Sequence, residues 1–271
     1  IVGELQGCEY VFEAEKQIFQ DPYMRASEGR NRFGNKGRLR GKFDFSEFDW
    51  SGEHRKTIAF EDMILYQCHL RGFTKHNSSG VKAPGTFSGF CEKLGYLEKL
   101  GINTVIFLPL YDFNERMEKQ NGKINYWGYS GDACYFAPKA SYASNPDNAV
   151  FECKEMIKKM HKKGMNVFLD MHFDKCSPQF MIRCLRYYVT EYHVDGFVLN
   201  PYNVPWEQLI EDPFLKDIKL MQKDDGFQNV MRRFLKGDEN MVNDVIWALK
   251  NRSSENGKCN YITTQTGFTL W

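Results

Sequence analysis

Residues 145–200 read NPDNAVFECKEMIKKMHKKGMNVFLDMHFDKCSPQFMIRCLRYYVTEYHVDGFVLN, a helix, a strand, a second helix and a second strand in succession. Asn145 can cap the first helix and Pro146 suits its first turn. Val150, Cys153, Ile157 and Met160 recur as a buried stripe, and Gly164 ends it. Asn166–Met171 is a compact apolar strand, Ser177-Pro178 opens a helix to about Tyr192, and Gly196-Phe-Val-Leu199 is a strand again. Continuous apolar strands separated by amphipathic helices imply a parallel sheet buried on both faces. Upstream the alternation continues. Met63–Cys68 and Thr104–Leu110 read as strands, and Phe87, Phe90, Leu94, Leu97 and Leu100 mark one helix stopped by Gly101. Tyr111–Ser144 reads as a loop. A closed barrel and an open doubly wound sheet both satisfy this periodicity.

Before residue 61 the pattern changes. Glu9–Glu13 and Gln17–Phe19 read as short strands ending in the Asp21-Pro22 turn, while residues 27–60 read as a long connection packed by Phe43, Phe45, Phe48 and Trp50. The whole chain has 271 residues, 42% of them hydrophobic, enough for one large core. Its net charge is +1 and the basic stretch Arg30–Arg40 is short and Gly-interrupted, so nucleic acid is not expected as a partner. Eight cysteines without a C-x-x-C pair favour reduced thiols and a cytoplasmic location. The six histidines have no metal-ligand spacing, and no metal or other cofactor is expected. No apolar run approaches the roughly 20 residues that span a bilayer. The chain opens at Ile1 without Met, which leaves secretion open.

Several long stretches are more specific. Tyr66–Thr74 (YQCHLRGFT) is followed by Ser79-Gly80 and Pro84-Gly-Thr86; then come Tyr96–Pro109, Asn125–Tyr129 (NYWGY), Tyr135–Lys139, Ser141–Ala143, Gly237-Asp238, Asn260–Thr263 and Gly267–Leu270. In this order they resemble the α-amylase superfamily, glycoside hydrolase family 13, on its pullulanase, isoamylase and glycogen-debranching branch. The resemblance runs from about residue 10 to the end. It implies a (β/α)8 barrel with its site at the C-terminal ends of the strands. Residues 1–26 resemble the tail of a starch-binding-type β-sandwich, 27–60 connect, and 61–271 form the barrel. The last strand resembles the seventh, so the barrel is expected to be incomplete at its C-terminus, as in a piece of a longer protein.

The resemblance also assigns site positions. A retaining glycosidase needs two carboxyl groups about 5 Å apart, one to attack the anomeric carbon and one to protonate the leaving oxygen. The family's nucleophile ends a GFRFD strand; here the segment reads Gly196-Phe-Val-Leu-Asn200, with Val198 in place of the Arg. The acid, the Glu of KLIAEPWD, is replaced by Lys223, whose ordinary pKa near 10.4 suits it poorly to proton donation. The third carboxylate of HDG is replaced by Thr266, after Gln265. DVVYNH becomes Asp170–Lys175, with Lys175 for His and Asp170 retained as a structural acid. His172 reads as a core histidine, and Asp195 should face away from the mouth. Tyr129 stands where the family stacks a ring on the sugar, with Trp127 beside it; packing of the loop is the equal alternative.

The first reading is therefore a protein that binds α-glucan without cleaving it. The alternatives are an active α-1,6-glucosidase with displaced acids, Asp224 or Asp225, which are expected in a loop shorter than the family's, and an interaction scaffold without sugar affinity. Lys175 and Lys223 are expected either to occupy the subsite or to close it by pairing with Asp174 or Asp224.

Overall fold

The structure, a computed structural model, describes residues 4–35, 37–116, 124–129, 132–250 and 257–263. Six parallel strands form the central sheet: β1 (Leu65–Cys68), β2 (Thr104–Phe107), β3 (Asn166–Met171), β4 (Gly196–Leu199), β5 (Lys219–Lys223) and β6 (Gly257–Cys259). They lie side by side in chain order. The helices are α1 (Leu70–Lys75), α2 (Phe87–Cys91), α3 (Leu94–Lys99), α4 (Ala149–Lys162), α5 (Pro178–Tyr192), α6 (Trp206–Ile210), α7 (Asp225–Lys236) and α8 (Val242–Lys250).

Alternation along the strands sorts side chains onto two faces. Val105, Phe107, Val167, Leu169, Phe197 and Leu199 enter the large core shared with the helices, where α4 contributes Cys153, Met156, Ile157 and Met160. Ile106, Phe168, Val198 and Met221 form a second cluster on the opposite face, joined by Leu65 of β1 and Cys259 of β6. On a flat sheet β1 and β5 would stand about 19 Å apart at normal spacing. Gln67 of β1 and Lys223 of β5 nevertheless both reach Asp170 Oδ2 on β3, at 3.4 and 2.7 Å, so the sheet curls and the fold is an α/β half-barrel with an apolar interior. Gly196 belongs to that curvature, since a Cβ there would sit 2.5 Å from the Phe168 ring and 2.7 Å from the Lys219 carbonyl oxygen.

Four expectations need correction. The expected seventh strand hydrogen-bonds directly to β5 (Met221 opposite Gly257), so it stands sixth. The expected helix over 87–100 breaks after Cys91 into α2 and α3, although its apolar spacing runs on unbroken. The expected loop 111–144 contains an antiparallel pair, Tyr111–Phe113 with Ala133–Pro138. Asp224 and Asp225 lie at the start of α7, not in a loop. Near the N-terminus, Arg40–Lys42 pairs with both Glu9–Tyr10 and Ser27–Glu28, so β pairing runs across residue 26. Among the described residues, no helix is long and apolar enough to cross a membrane.

Candidate functional site

Asp170 lies near the C-terminal end of β3 with its side chain 3% exposed. It shares the curled sheet's inner face with Val198, its neighbour in register on β4. Lys223, the last residue of β5, places its ammonium 2.7 Å from Asp170 Oδ2. The Tyr129 hydroxyl donates to the same oxygen at 2.8 Å, and Gln67 Nε2 of β1 approaches it at 3.4 Å. The ammonium also donates to the Tyr129 hydroxyl at 3.3 Å and lies 4.7 Å from the centre of that ring. Asp170, Lys223 and Tyr129 thus form a closed triangle of charge-assisted contacts.

Local chemistry explains how Tyr129 arrives there. Asn125 Oδ1 accepts from the Gly128 amide at 3.1 Å, and Gly128 has φ +76°. A Cβ at Gly128 would stand 2.7 Å from the Phe113 ring, so only glycine can turn the chain this closely. His69 holds the same segment from the other side. Its Nδ1 accepts from the Gly72 amide at 2.9 Å, capping α1, which leaves Nε2–H to donate to the Tyr126 carbonyl at 2.9 Å. Burial drives the His69 pKa down to about 4, so the ring is neutral in this role. Trp127 packs edge-on against Tyr126 and His69, with centroids 4.8 and 5.6 Å away, which accords with loop packing.

The other expected positions are dispersed. Asn200 follows β4, and its Oδ1 accepts from the Tyr202 amide at 3.0 Å, tying the side chain into its own turn. Val198 is fully buried among Ile106, Phe168 and Met221. Lys175 is exposed in a left-handed conformation (φ 53°) and makes no ion pair among the described residues. Gln265 and Thr266 lie outside the described residues. The expected pairing of Lys223 with Asp174 or Asp224 is replaced by pairing with Asp170. Asp224 instead caps α7 through the Phe227 amide at 3.0 Å and faces Lys258 at 3.6 Å, and Asp225 accepts from the Tyr261 hydroxyl. Asp195 lies just before β4, bonded to the Val167 amide at the start of β3, hence at the opposite end of the barrel.

His172 packs edge-on against Tyr129, centroids 5.5 Å apart. Its pKa is lowered by burial and by the Lys223 charge, with Asp170 and Asp174 opposing. Cys259 lies opposite Lys223 in register, and burial raises its thiol pKa, so it is protonated at neutral pH. Among the described residues, no group of His, Cys, Asp and Glu side chains could hold a metal ion. Gln67 and His69 are the contributors that sequence reasoning missed. Both lie inside the Tyr66–Thr74 stretch, and their only signal was that location.

Comparison with known proteins gives the family of this sheet. Residues 51–200 match the α-amylase catalytic domain. The chain belongs to the α-amylase family. Isoamylase 1 (chloroplastic) of Oryza sativa subsp. japonica is 30% identical over 250 residues, covering 70% of this chain and 31% of the isoamylase. The pullulanase of Bacillus subtilis is 27% identical over 256 residues, covering 73% and 35%. Among solved structures, the pullulanase from Bacillus acidopullulyticus superposes with a TM-score of 0.73 at 22% identity, covering 96% of this chain and 45% of that one. The Paenibacillus barengoltzii pullulanase, solved with maltohexaose and α-cyclodextrin, gives 0.64 at 21% identity, covering 79% and 43%. The chain spans about a third of the length of these two curated α-amylase-family relatives.

Proposed function

We propose that the barrel mouth recognises α-glucan without hydrolysing it. The observation that carries this reading is the Lys223–Asp170 ion pair at 2.7 Å. Retaining hydrolysis needs one carboxylate free to attack and one carboxyl able to give a proton. Asp170 is instead engaged by an ammonium, a phenol and an amide, and Asn200 holds an amide where the resemblance expects the nucleophile. An amide does not form the glycosyl ester as a carboxylate does. The sugar-binding half of the proposal rests on the relatives, whose solved members include a pullulanase complexed with maltohexaose. It also rests on the composition of the cluster. Two of the three Lys223 donors are used among the described residues, and its side chain is 28% exposed, leaving the third for a sugar hydroxyl.

The scaffold reading draws on one specific observation, the ammonium lying over the Tyr129 ring. Two measurements separate the readings. Reducing-end release from pullulan, glycogen and maltooligosaccharides should be undetectable. Migration in glycogen-containing gels should be retarded relative to a control protein, and less so for Tyr129→Ala. Turnover that disappears on changing Asp224 or Asp225 would replace the proposal with an active glucosidase. Equal migration of protein, variant and control would leave the scaffold.

A further inference from the structure

A groove of about 450 Å³ lies between the N-terminal strands and the first turn of α4, within the range of small-ligand sites (roughly 300–1,000 Å³). Because α4 leads back to the start of β3, its N-terminal turn lies at the same end of the barrel as the mouth. One wall carries Phe151, 54% exposed, with Phe48 packed edge-on against it, centroids 5.4 Å apart. The other walls are polar. Lys42 and Lys154 face Asp44, Glu47 and Asp147, a formal balance of +2 against −3, or −1. Neither lysine is free for an anion: Lys42 pairs with Asp147 at 2.5 Å and Lys154 with Glu191 at 3.1 Å.

Asp44 is a prearranged acceptor. Its Oδ1 already accepts from the Ser46 amide at 3.0 Å and from Gln6 at 3.2 Å. Burial works against its ionisation, but these hydrogen bonds and the Lys154 charge prevail and hold the carboxyl below its usual range. Glu47 and Asn148 are exposed along the same lining. An open aromatic face beside carboxylate and amide groups, with no available cation and almost no net charge, suits a neutral polyhydroxyl ligand. It suits a phosphorylated or strongly charged one poorly.

We infer that this groove is a second maltooligosaccharide-binding site on the rim of the barrel, separate from the mouth. The inference takes its ligand class from the proposed function, so the experiment must tell the two apart. Maltohexaose is titrated calorimetrically into the whole protein, Phe151→Ala, Phe151→Ala/Glu47→Ala and Tyr129→Ala. Phe151 is half-exposed and Glu47 exposed, so neither change removes a core contact. We expect Phe151→Ala to weaken the groove step about fivefold, the magnitude of one lost aromatic contact. The double variant should lose that step, and Tyr129→Ala should retain it. A double variant that titrates like the parent overturns the groove and leaves the mouth intact. A Tyr129→Ala variant that titrates like the parent, with the double variant silent, supports the groove and overturns the mouth. A parent that releases no heat and shifts no melting temperature overturns both.

Discussion

At the end of the barrel opposite the mouth, His161 of α4 is fully buried between two carboxylates. Its Nδ1 lies 2.6 Å from Glu53 and its Nε2 lies 2.9 Å from Asp195. Glu53 also contacts His193 Nδ1 at 2.5 Å, and that ring stacks on Trp50 at 4.0 Å. Asp195 also accepts from the Val167 amide at 2.8 Å and pairs with Arg55 at 3.2 Å. The cluster straps residues 50–55 to the base of the barrel. Only the imidazolium can donate from both nitrogens, while a neutral ring turns a lone pair toward one carboxylate. Burial lowers the His161 pKa, but Asp195 and then Glu53 outweigh it, and the net shift is upward from 6.5.

A raised folded-state pKa means that the stabilisation is fully present below pH 6.5. It is lost as pH rises through the folded-state value. Hydrogen bonds to charged groups contribute about 1.5–3 kcal/mol each, and His161 makes two. Asp195 keeps Arg55 and the Val167 amide without it, and Glu53 keeps His193, so the lower end of that range applies. We expect His161→Gln to cost about 3 kcal/mol at pH 6, and progressively less as pH rises and the parent loses its second donor. Urea unfolding of both proteins at several pH values measures this, and taking the difference cancels groups that titrate alike in the two chains. A parent-to-variant gap that is constant from pH 6 to 9, or that widens with pH, would refute the reasoning.

Other perturbations test the mouth and the adjoining core. Lys223→Met should destabilise by about 1–2 kcal/mol, because Asp170 keeps Tyr129 and Gln67 while the lost lysine was partly solvated; unchanged urea unfolding would mean that the pair is not formed in solution. Tyr129→Phe should cost about 1 kcal/mol in the same assay while leaving retardation in glycogen gels intact, since it removes the hydroxyl and keeps the ring. The triple change Asn200→Asp, Lys223→Glu and Thr266→Asp should yield no reducing-end release, because it sets a second carboxylate against Asp170 with Val198, Lys175 and Gln265 unchanged; clear turnover would show a better preserved site. Lys139→Met should cost about 3–5 kcal/mol, because Lys139 is fully buried 2.9 Å from the equally buried Glu115 and 3.6 Å from Asp112; a soluble variant melting within a few degrees of the parent contradicts that assignment.

What was legible in the sequence follows from where each element draws its stability. β2, β3 and β4 are fully buried, so they appear as continuous apolar runs, and α4 and α5 carry buried stripes; Pro178 opens α5, whereas Asn145 and Pro146 belong to a separate 3-10 turn and α4 starts only at Ala149. β5 reads Lys-Leu-Met-Gln-Lys and β6 reads Gly-Lys-Cys, and these strands exist because a neighbour offers hydrogen bonds. The Arg40–Lys42 strand is similar, since its partners are about a dozen and thirty residues away and its own residues carry no strand pattern. At the mouth, Asp170, Lys223 and Tyr129 were found through ordered motifs and are joined by direct contacts. The base cluster was not found. Its partners stand 108 and 140 residues apart in the chain, and pairing over such separations leaves no periodic trace.

The substitutions at the mouth make electrostatic sense as a set. Val198 occupies a fully apolar cluster, where an arginine would be a buried cation requiring an anion at its tip. The resemblance supplies that anion from the residue at position 200, which here is Asn, so Arg and Asp are absent together and no charge is stranded. Asp170 remains, 97% buried on the sheet's inner face, and a lone carboxylate there would carry a large desolvation cost. Lys223 supplies the matching charge from the end of β5, two strands away, and the Tyr129 hydroxyl occupies a further position on the same oxygen. The outcome is a charge-balanced, hydrogen-bonded unit of Asp170, Lys223 and Tyr129. Reinstating a single carboxylate at position 200 or 223 would unbalance that unit.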